Sequence, residues 1–196
     1  MATQREMKRQ RLLEQAERLF LEHGFKAVTM EAVAAAAGIS KMTIYNHFHS
    51  KENLFLEISM LLIRRFNEEV TQLVWQQDNT FDRLRVYFEK GQQIMETYSP
   101  AYIRDVYDMP YLINAITEYK KKTTMQILWD ILKEGNRMGE IRKMDQQFVV
   151  QLLDVLTIGM LQLMPKMDEV ELIRFNQQLF RFIKLGLLSD SRPSCP

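Results

Sequence analysis

The sequence predicts an all-α protein, and three observations carry that expectation. Leu, Ile, Met, Glu, Gln and Lys outweigh a sparse Val and Thr content, a balance that favours helix over sheet. Apolar residues recur at three- and four-residue spacing along most of the chain, and no strand-like alternation of any length interrupts them. Gly, Pro and capping residues then punctuate these stretches at intervals suited to helices, about nine of them.

The first helix is expected over residues 5–23, with Leu12, Leu13, Ala16, Leu19 and Phe20 as its inner face. Gly24 ends it, with apolar Phe25 following. Thr29 caps a second helix whose inner face is Val33, Ala34 and Ala37, and Glu31 favours its positive end. Gly38 breaks the pattern, Ile39 plugs the gap and Ser40 caps a short third helix to about Phe48, with Ile44 and Phe48 inward. Ser50 caps a fourth, carrying Leu54, Phe55, Ile58, Leu61 and Leu62. Thr80 is expected to cap a helix over 81–98, and a short one over 102–107 stops before Pro110. One long helix is expected over 112–138, closed by Gly139. Asp145 starts another, stopped by Pro165, and Asp168 with Glu171 stands at capping-box spacing before the last.

Charge is unevenly distributed. Residues 1–51 hold 8 Lys/Arg against 5 Asp/Glu, whereas residues 52–196 hold 18 against 20. A small basic domain attached to a mildly acidic one suits a polyanion bound at one end, although an ordinary solvated surface explains the same imbalance. The single cysteine, Cys195, excludes an intrachain disulfide and points to a reducing cytoplasmic setting. The N-terminus is polar, and no apolar run reaches the about 18 residues needed to span a membrane.

The turn Ala37-Gly38-Ile39-Ser40 is tight, glycine-bearing and followed at once by a new N-cap, as a helix-turn-helix requires. Around it the pattern extends from Gly24-Phe25 and Thr29, through Val33-Ala34 and Ala37 to Ser40. It continues through Thr43-Ile44-Tyr45-x-His47-Phe48 to Ser50-Lys51-Glu52-x-Leu54. This resembles the DNA-binding signature of the tetracycline-repressor (TetR) family over about the first 55 residues. The resemblance implies a three-helix DNA-binding domain over 1–50 and a helical effector-binding and dimerisation domain over 51–190; the terminal Ser-Arg-Pro-Ser-Cys-Pro run, 191–196, itself reads as a frayed tail. The resemblance also implies that Lys41, Thr43 and Asn46 face base edges or adjacent phosphates in the major groove, and that Tyr45 and His47 contact the backbone. Met42 is placed for apolar contact, and Lys51 as a phosphate clamp at a helix start. Thr29 and Ser40 can donate to phosphate while capping, and the basic residues between Arg5 and Arg11 add salt-dependent contacts. Tyr45 has an alternative role, closing the core with its ring.

The family dimerises through its last two helices, and the sequence has matching features. Residues 146–164 are apolar nearly all round, with Phe148, Val149, Leu152, Leu153, Val155, Leu156, Ile158, Leu161 and Leu163. A surface helix should show one stripe. The last helix carries two, so a homodimer through Leu152, Leu156, Gly159, Met160, Leu163, Leu172, Phe175, Leu179, Phe182 and Ile183 is expected. The alternative is that both helices are central in one monomer's core. For a small organic effector, flat or cationic, the candidates are Met95, Tyr98, Tyr102, Asp105, Tyr107, Met125 and Trp129, with Asp108 nearby in sequence. Plain core packing is the competing role for each.

No nucleophile elbow, phosphate loop, dinucleotide fingerprint or metal-ligand spacing occurs, and the three histidines lie at 23, 47 and 49. An enzyme is therefore not expected, nor any cofactor or metal. A helical interaction module without DNA binding is the remaining competitor, distinguished by salt-independent or absent DNA retention. The expected protein is a cytoplasmic transcriptional regulator, by resemblance a repressor that a small molecule releases from a palindromic operator.

Overall fold

The computed structural model describes residues 4–163 and 166–187, and the fold they form is all-α. The tail from 191, Cys195 and Pro165 lie outside the described residues. So do the side chains of Met95, Leu153, Ile158, Met160 and Leu161. Helices run in the order α1 (Gln4–Ala27), α2 (Met30–Ala37), α3 (Lys41–Phe48), α4 (Lys51–Trp75), α5 (Thr80–Thr97) and α6 (Pro100–Tyr107). They continue with α7 (Pro110–Lys122), α8 (Thr124–Met138), α9 (Gln146–Leu163) and α10 (Glu169–Leu187). Among the described residues no helix is long and apolar enough to cross a membrane.

Packing gathers these helices into two compact units. Among the described residues, the first takes in residues 4–65 and then Thr97–Ile116; the second takes in Phe66–Glu96 and the described residues from Thr117 to Leu187. The division expected at residue 50 follows the sequence motif, whereas the packing divides α4, α5 and α7 within their lengths. In the first unit Leu12, Leu13, Ala16 and Phe20 meet Val33, Ala34, Ala37, Ile44, Phe48 and Leu54 in one core. Phe55 closes on Phe20 edge-on at 5.0 Å, and Tyr102 of α6 closes on Phe55 at 5.4 Å. The second unit has its own core around Val70, Val74, Leu84, Tyr87, Leu128, Ile131 and Leu132.

Two expected elements differ from the structure. The helix expected over 112–138 is two helices, because Thr123 leaves helical geometry at φ −125 and ψ −65. Its Oγ1 donates to the Tyr119 carbonyl at 2.8 Å and accepts from Asn67 Nδ2 at 2.8 Å, the kind of side-chain bonding that competes with a helix ladder. The cap of α5 is Asn79, whose Oδ1 accepts from the Asp82 N–H at 2.9 Å. Thr80 is buried, with its N–H and Oγ1 both donating to Glu140. The other caps stand as expected, including Asp145 accepting from the Phe148 N–H and the reciprocal Asp168–Glu171 box.

The fixed position of Thr80 has a consequence for α8. A Cβ on Gly135 would collide with the Thr80 hydroxyl and lie 2.7 Å from its Cγ2. Alanine gains about 1 kcal/mol over glycine in helix propensity. Gly135→Ala should nevertheless destabilise the chain by roughly 1–3 kcal/mol, because overpacking outweighs propensity when the neighbour cannot swing away. Urea denaturation of the full chain checks this, with a higher midpoint contradicting it.

Candidate nucleic-acid interface

The turn between α2 and α3 is built by local rules. Gly38 sits at φ 66 and ψ 38, so its N–H reaches Ala35 O at 3.1 Å and the Ile39 N–H reaches Ala34 O at 3.0 Å. This is a Schellman closure, with Ile39 packed on the core. Thr29 Oγ1 accepts from the Ala32 N–H and Ser40 Oγ from the Thr43 N–H, each at 3.1 Å. His49 then turns the chain at φ 58, and Ser50 Oγ accepts from the Asn53 N–H to open α4.

With Ile44 and Phe48 buried, α3 turns Lys41, Met42, Tyr45 and Asn46 outward on one exposed face, at one-turn intervals. Met42 is 75% exposed, a large apolar side chain with no local packing role, and Tyr45 is 37% exposed. Thr43 and His47 border this face half-buried, while Thr29 and Ser40 are exposed at the starts of α2 and α3. The Lys41 ammonium pairs with Glu31 and lies 5.7 Å from the Tyr45 ring centre. That hydrogen bond holds the Glu31 carboxyl below its ordinary range and raises Lys41. Arg9 pairs with Glu57 and lies over Phe48, and Arg11 lies beside Gly38.

Lys51 is organised differently from a free surface lysine. Its ammonium donates to the Phe25 and Val28 carbonyls, each at 2.9 Å, and sits 4.0 Å from the Phe25 ring centre. From the other side, Asp105 Oδ2 accepts the Phe25 N–H at 2.7 Å and the Lys26 N–H at 3.2 Å. These residues follow Gly24, which interrupts α1 at φ 78 and ψ 176. The corner that leads into α2 is thus held between a cation on its carbonyls and a carboxylate on its amides. Sequence reasoning missed this clamp. The available signal was an acid, Asp105, three residues after Tyr102 on the inward face of α6.

Of the effector candidates, Tyr98, Tyr102, Asp105 and Tyr107 belong to the first unit, and Met125 and Trp129 to the second. Tyr102 is core, its hydroxyl hydrogen-bonded to Ser59 at 3.0 Å. Tyr98 and Tyr107 are half-buried, and burial pushes each phenol up to about 12. Asp105 is 4% exposed and occupied by the corner, and Asp108 pairs with Lys26 at 2.7 Å. Met125 and Trp129 pack half-buried against the second core.

Of the expected dimer contacts, Leu152, Leu163 and Phe182 are exposed, Phe182 at 74%. Leu156, Gly159, Phe175, Leu179 and Ile183 are half-buried. Leu172 is buried within its own chain and Ile183 packs on the second core. Phe148 and Val155, not expected there, extend the exposed stripe of α9, and Val170 and Leu185 are exposed on α10. Among the described residues no group of three His, Cys, Asp or Glu side chains forms a metal-sized cluster.

Comparison with known proteins gives a consistent likeness. The model of "Bacterial regulatory proteins, tetR family" matches residues 12–58. The transcriptional regulator QacR of Staphylococcus aureus is 30% identical over 135 residues, 66% of this chain and 71% of QacR. The transcriptional repressor AcnR of Corynebacterium diphtheriae is 39% identical over 70 residues, 36% of this chain. The matched part spans about a third of the length of the AcnR relatives, 37% and 34% for two of them. A transcriptional regulator from Cytophaga hutchinsonii has the same fold, with a TM-score of 0.80, 18% identity and coverage of 93% of this chain and 99% of its own.

Proposed function

This chain belongs to the tetR family of bacterial regulatory proteins, and from that premise we propose that it is a sequence-specific, DNA-binding transcriptional repressor. It acts in the cytoplasm as a homodimer and leaves a palindromic operator when a small organic effector binds. The observation that carries this reading is the outer face of α3. Four residues of differing chemistry, Lys41, Met42, Tyr45 and Asn46, stand exposed on a helix whose other face is core.

An α-helix of this kind fits the major groove, where each base pair displays its own donor and acceptor pattern. Asn46 offers the donor–acceptor pair that matches adenine, Met42 the apolar contact that matches a thymine methyl, and Lys41 a cation for guanine or phosphate. Lys41 must exchange Glu31 for DNA, so part of its charge interaction is already satisfied before binding. Thr29, Ser40, Thr43, Tyr45 and His47 contribute hydroxyl or ring donors to phosphates, which set register rather than sequence. The α9 stripe of Phe148, Leu152, Val155 and Leu163, with Phe182 on α10, supplies the apolar surface of the dimer. Two copies of α3 then address half-sites about 35 Å apart. Half-buried surface for an effector remains within the first unit at Tyr98 and Tyr107, where Tyr102 and Asp105 support the fold, and separately within the second at Met125 and Trp129.

Selection of bound sites from random duplex DNA tests the reading. A palindrome is expected, bound by a species of dimer mass in sedimentation, with retention falling steeply as salt rises. No enriched palindrome, or retention indifferent to salt, would replace it with the interaction-module reading.

A further inference from the structure

Residues 29–50, which hold both helices of the helix-turn-helix, carry a single acid and a single lysine or arginine. The acid is Glu31, in the first turn of α2, and the cation is Lys41, the first residue of α3. The structure joins them in an ion pair, with both side chains more than half exposed. The Lys41 ammonium also lies 5.7 Å from the Tyr45 ring centre, which places the pair beside the outer face of α3.

A carboxylate at this place works against a protein that binds a polyanion. It repels phosphates, and it competes with them for Lys41. The start of a helix favours an acid, but that preference does not require the side chain to turn across to α3. On DNA the pair has two outcomes. If Lys41 moves to a phosphate, Glu31 is left beside the backbone charge without a partner. If both groups move to the edge of one base pair, each finds a partner only where donors and acceptors stand in the right order.

The major-groove edge of G·C offers two acceptors and then a donor: guanine N7 and O6, followed by the cytosine N4 amino group. An ammonium beside a carboxylate matches that order. The A·T edge places its donor between two acceptors. There the ammonium meets the adenine amino group and the carboxylate meets thymine O4, so both groups face their own kind.

We propose that Glu31 and Lys41 open their ion pair on the operator and together read one G·C base pair in each half-site. Lys41 takes guanine O6 and N7, and Glu31 takes the cytosine amino group, which makes Glu31 a specificity-determining residue. On other sequences the carboxylate keeps Lys41 from the phosphates and so lowers non-specific binding. This rests on the DNA-binding reading above and names the base pair that one part of its face selects.

Site selection from random duplex DNA tests it, with the full chain as wild type, Glu31→Ala, Lys41→Met and the double variant. The wild type should select G·C at one position of each half-site. Glu31→Ala and Lys41→Met should each relax that position, and no other, by roughly tenfold. The double variant should lose less than the product of the two, because both groups address one base pair. On a duplex of unselected sequence Glu31→Ala should bind more tightly, with the slope of log affinity against log salt steeper by about 1 as Lys41 turns to a phosphate. Lys41→Met should leave that slope at the wild-type value. Thermal melts check that the variants fold. Glu31→Gln, which keeps the length of the side chain, should admit A·T at the same position, since a carboxamide pairs with adenine N6 and N7. A selected palindrome with base preferences unchanged in Glu31→Ala overturns the inference and leaves the DNA-binding reading standing. So does relaxation at a position that Lys41→Met does not affect, or an equal gain in affinity for every sequence, which is general repulsion. Failure of the wild type to enrich any palindrome overturns both.

Discussion

Gly24→Ala is expected to lower the stability of the full chain more than any other glycine-to-alanine change in the first unit. Two costs act at this position. The backbone lies at φ 78 and ψ 176, a region almost closed to residues with a Cβ and costing about 1–3 kcal/mol to occupy. An added Cβ would also lie 2.6 Å from Asp105 Oδ2 and 3.0 Å from Ala101 Cβ. Overpacking of that kind costs a further 1–3 kcal/mol, roughly. Asp105 cannot retreat without giving up the Phe25 and Lys26 amides, so relief at one point opens a deficit at the other. Gly91 in α5 is the control, since an added Cβ there meets nothing within 4 Å. Gly91→Ala should be neutral or stabilising by up to about 1 kcal/mol. Urea midpoints measure both changes, and equal midpoints would show that the break in α1 carries no strain.

Features governed by neighbours in sequence were legible without coordinates. Thr29, Ser40 and Ser50 cap their helices because a hydroxyl two or three residues before a free N–H has little else to do. Gly38 and Ile39 close α2 for equally local reasons. Features that depend on distant partners were not. Thr80 looks like a cap in sequence, but Glu140, sixty residues away, takes its donors and leaves the cap to Asn79. Asn67 likewise draws Thr123 out of the helix pattern. Leu172 and Phe182 sit on a helix apolar on two sides, and periodicity alone cannot say which stripe stays inside. The structure buries Leu172 and exposes Phe182. The exposed face of α3 followed directly from Ile44 and Phe48 being the inward pair, whereas the effector candidates rested on composition. Composition does not distinguish Tyr102 in a core from Trp129 at its edge.

Lys51 gives the second large expected effect, and it separates two roles for one residue. By resemblance it is a phosphate clamp; in the structure its ammonium holds the carbonyls of Phe25 and Val28 and lies over the Phe25 ring. Methionine at this position keeps most of the stem and removes every donor. Hydrogen bonds from a charged group contribute about 1.5–3 kcal/mol each, so Lys51→Met should cost about 3 kcal/mol once partial exposure is allowed for. The corner between α1 and α2 would loosen, and α3 would be held less firmly for the groove. If Lys51 acts through this corner, DNA affinity falls by a similar factor at every salt concentration. If it neutralises a phosphate, the slope of log affinity against log salt becomes shallower by about 1. The geometry favours the first outcome, because both lone-pair acceptors and the ring lie on the protein side of the ammonium. Lys51→Arg sharpens the comparison. Arginine keeps the charge that a phosphate needs, but its longer side chain and planar head do not match the position of the compact ammonium between the two carbonyls and over the Phe25 ring. It should therefore resemble Lys51→Met in stability while retaining the wild-type salt slope. A destabilised Lys51→Arg chain with unchanged salt dependence supports the corner role. Wild-type stability in Lys51→Met, with a shallower slope, would return Lys51 to the phosphate.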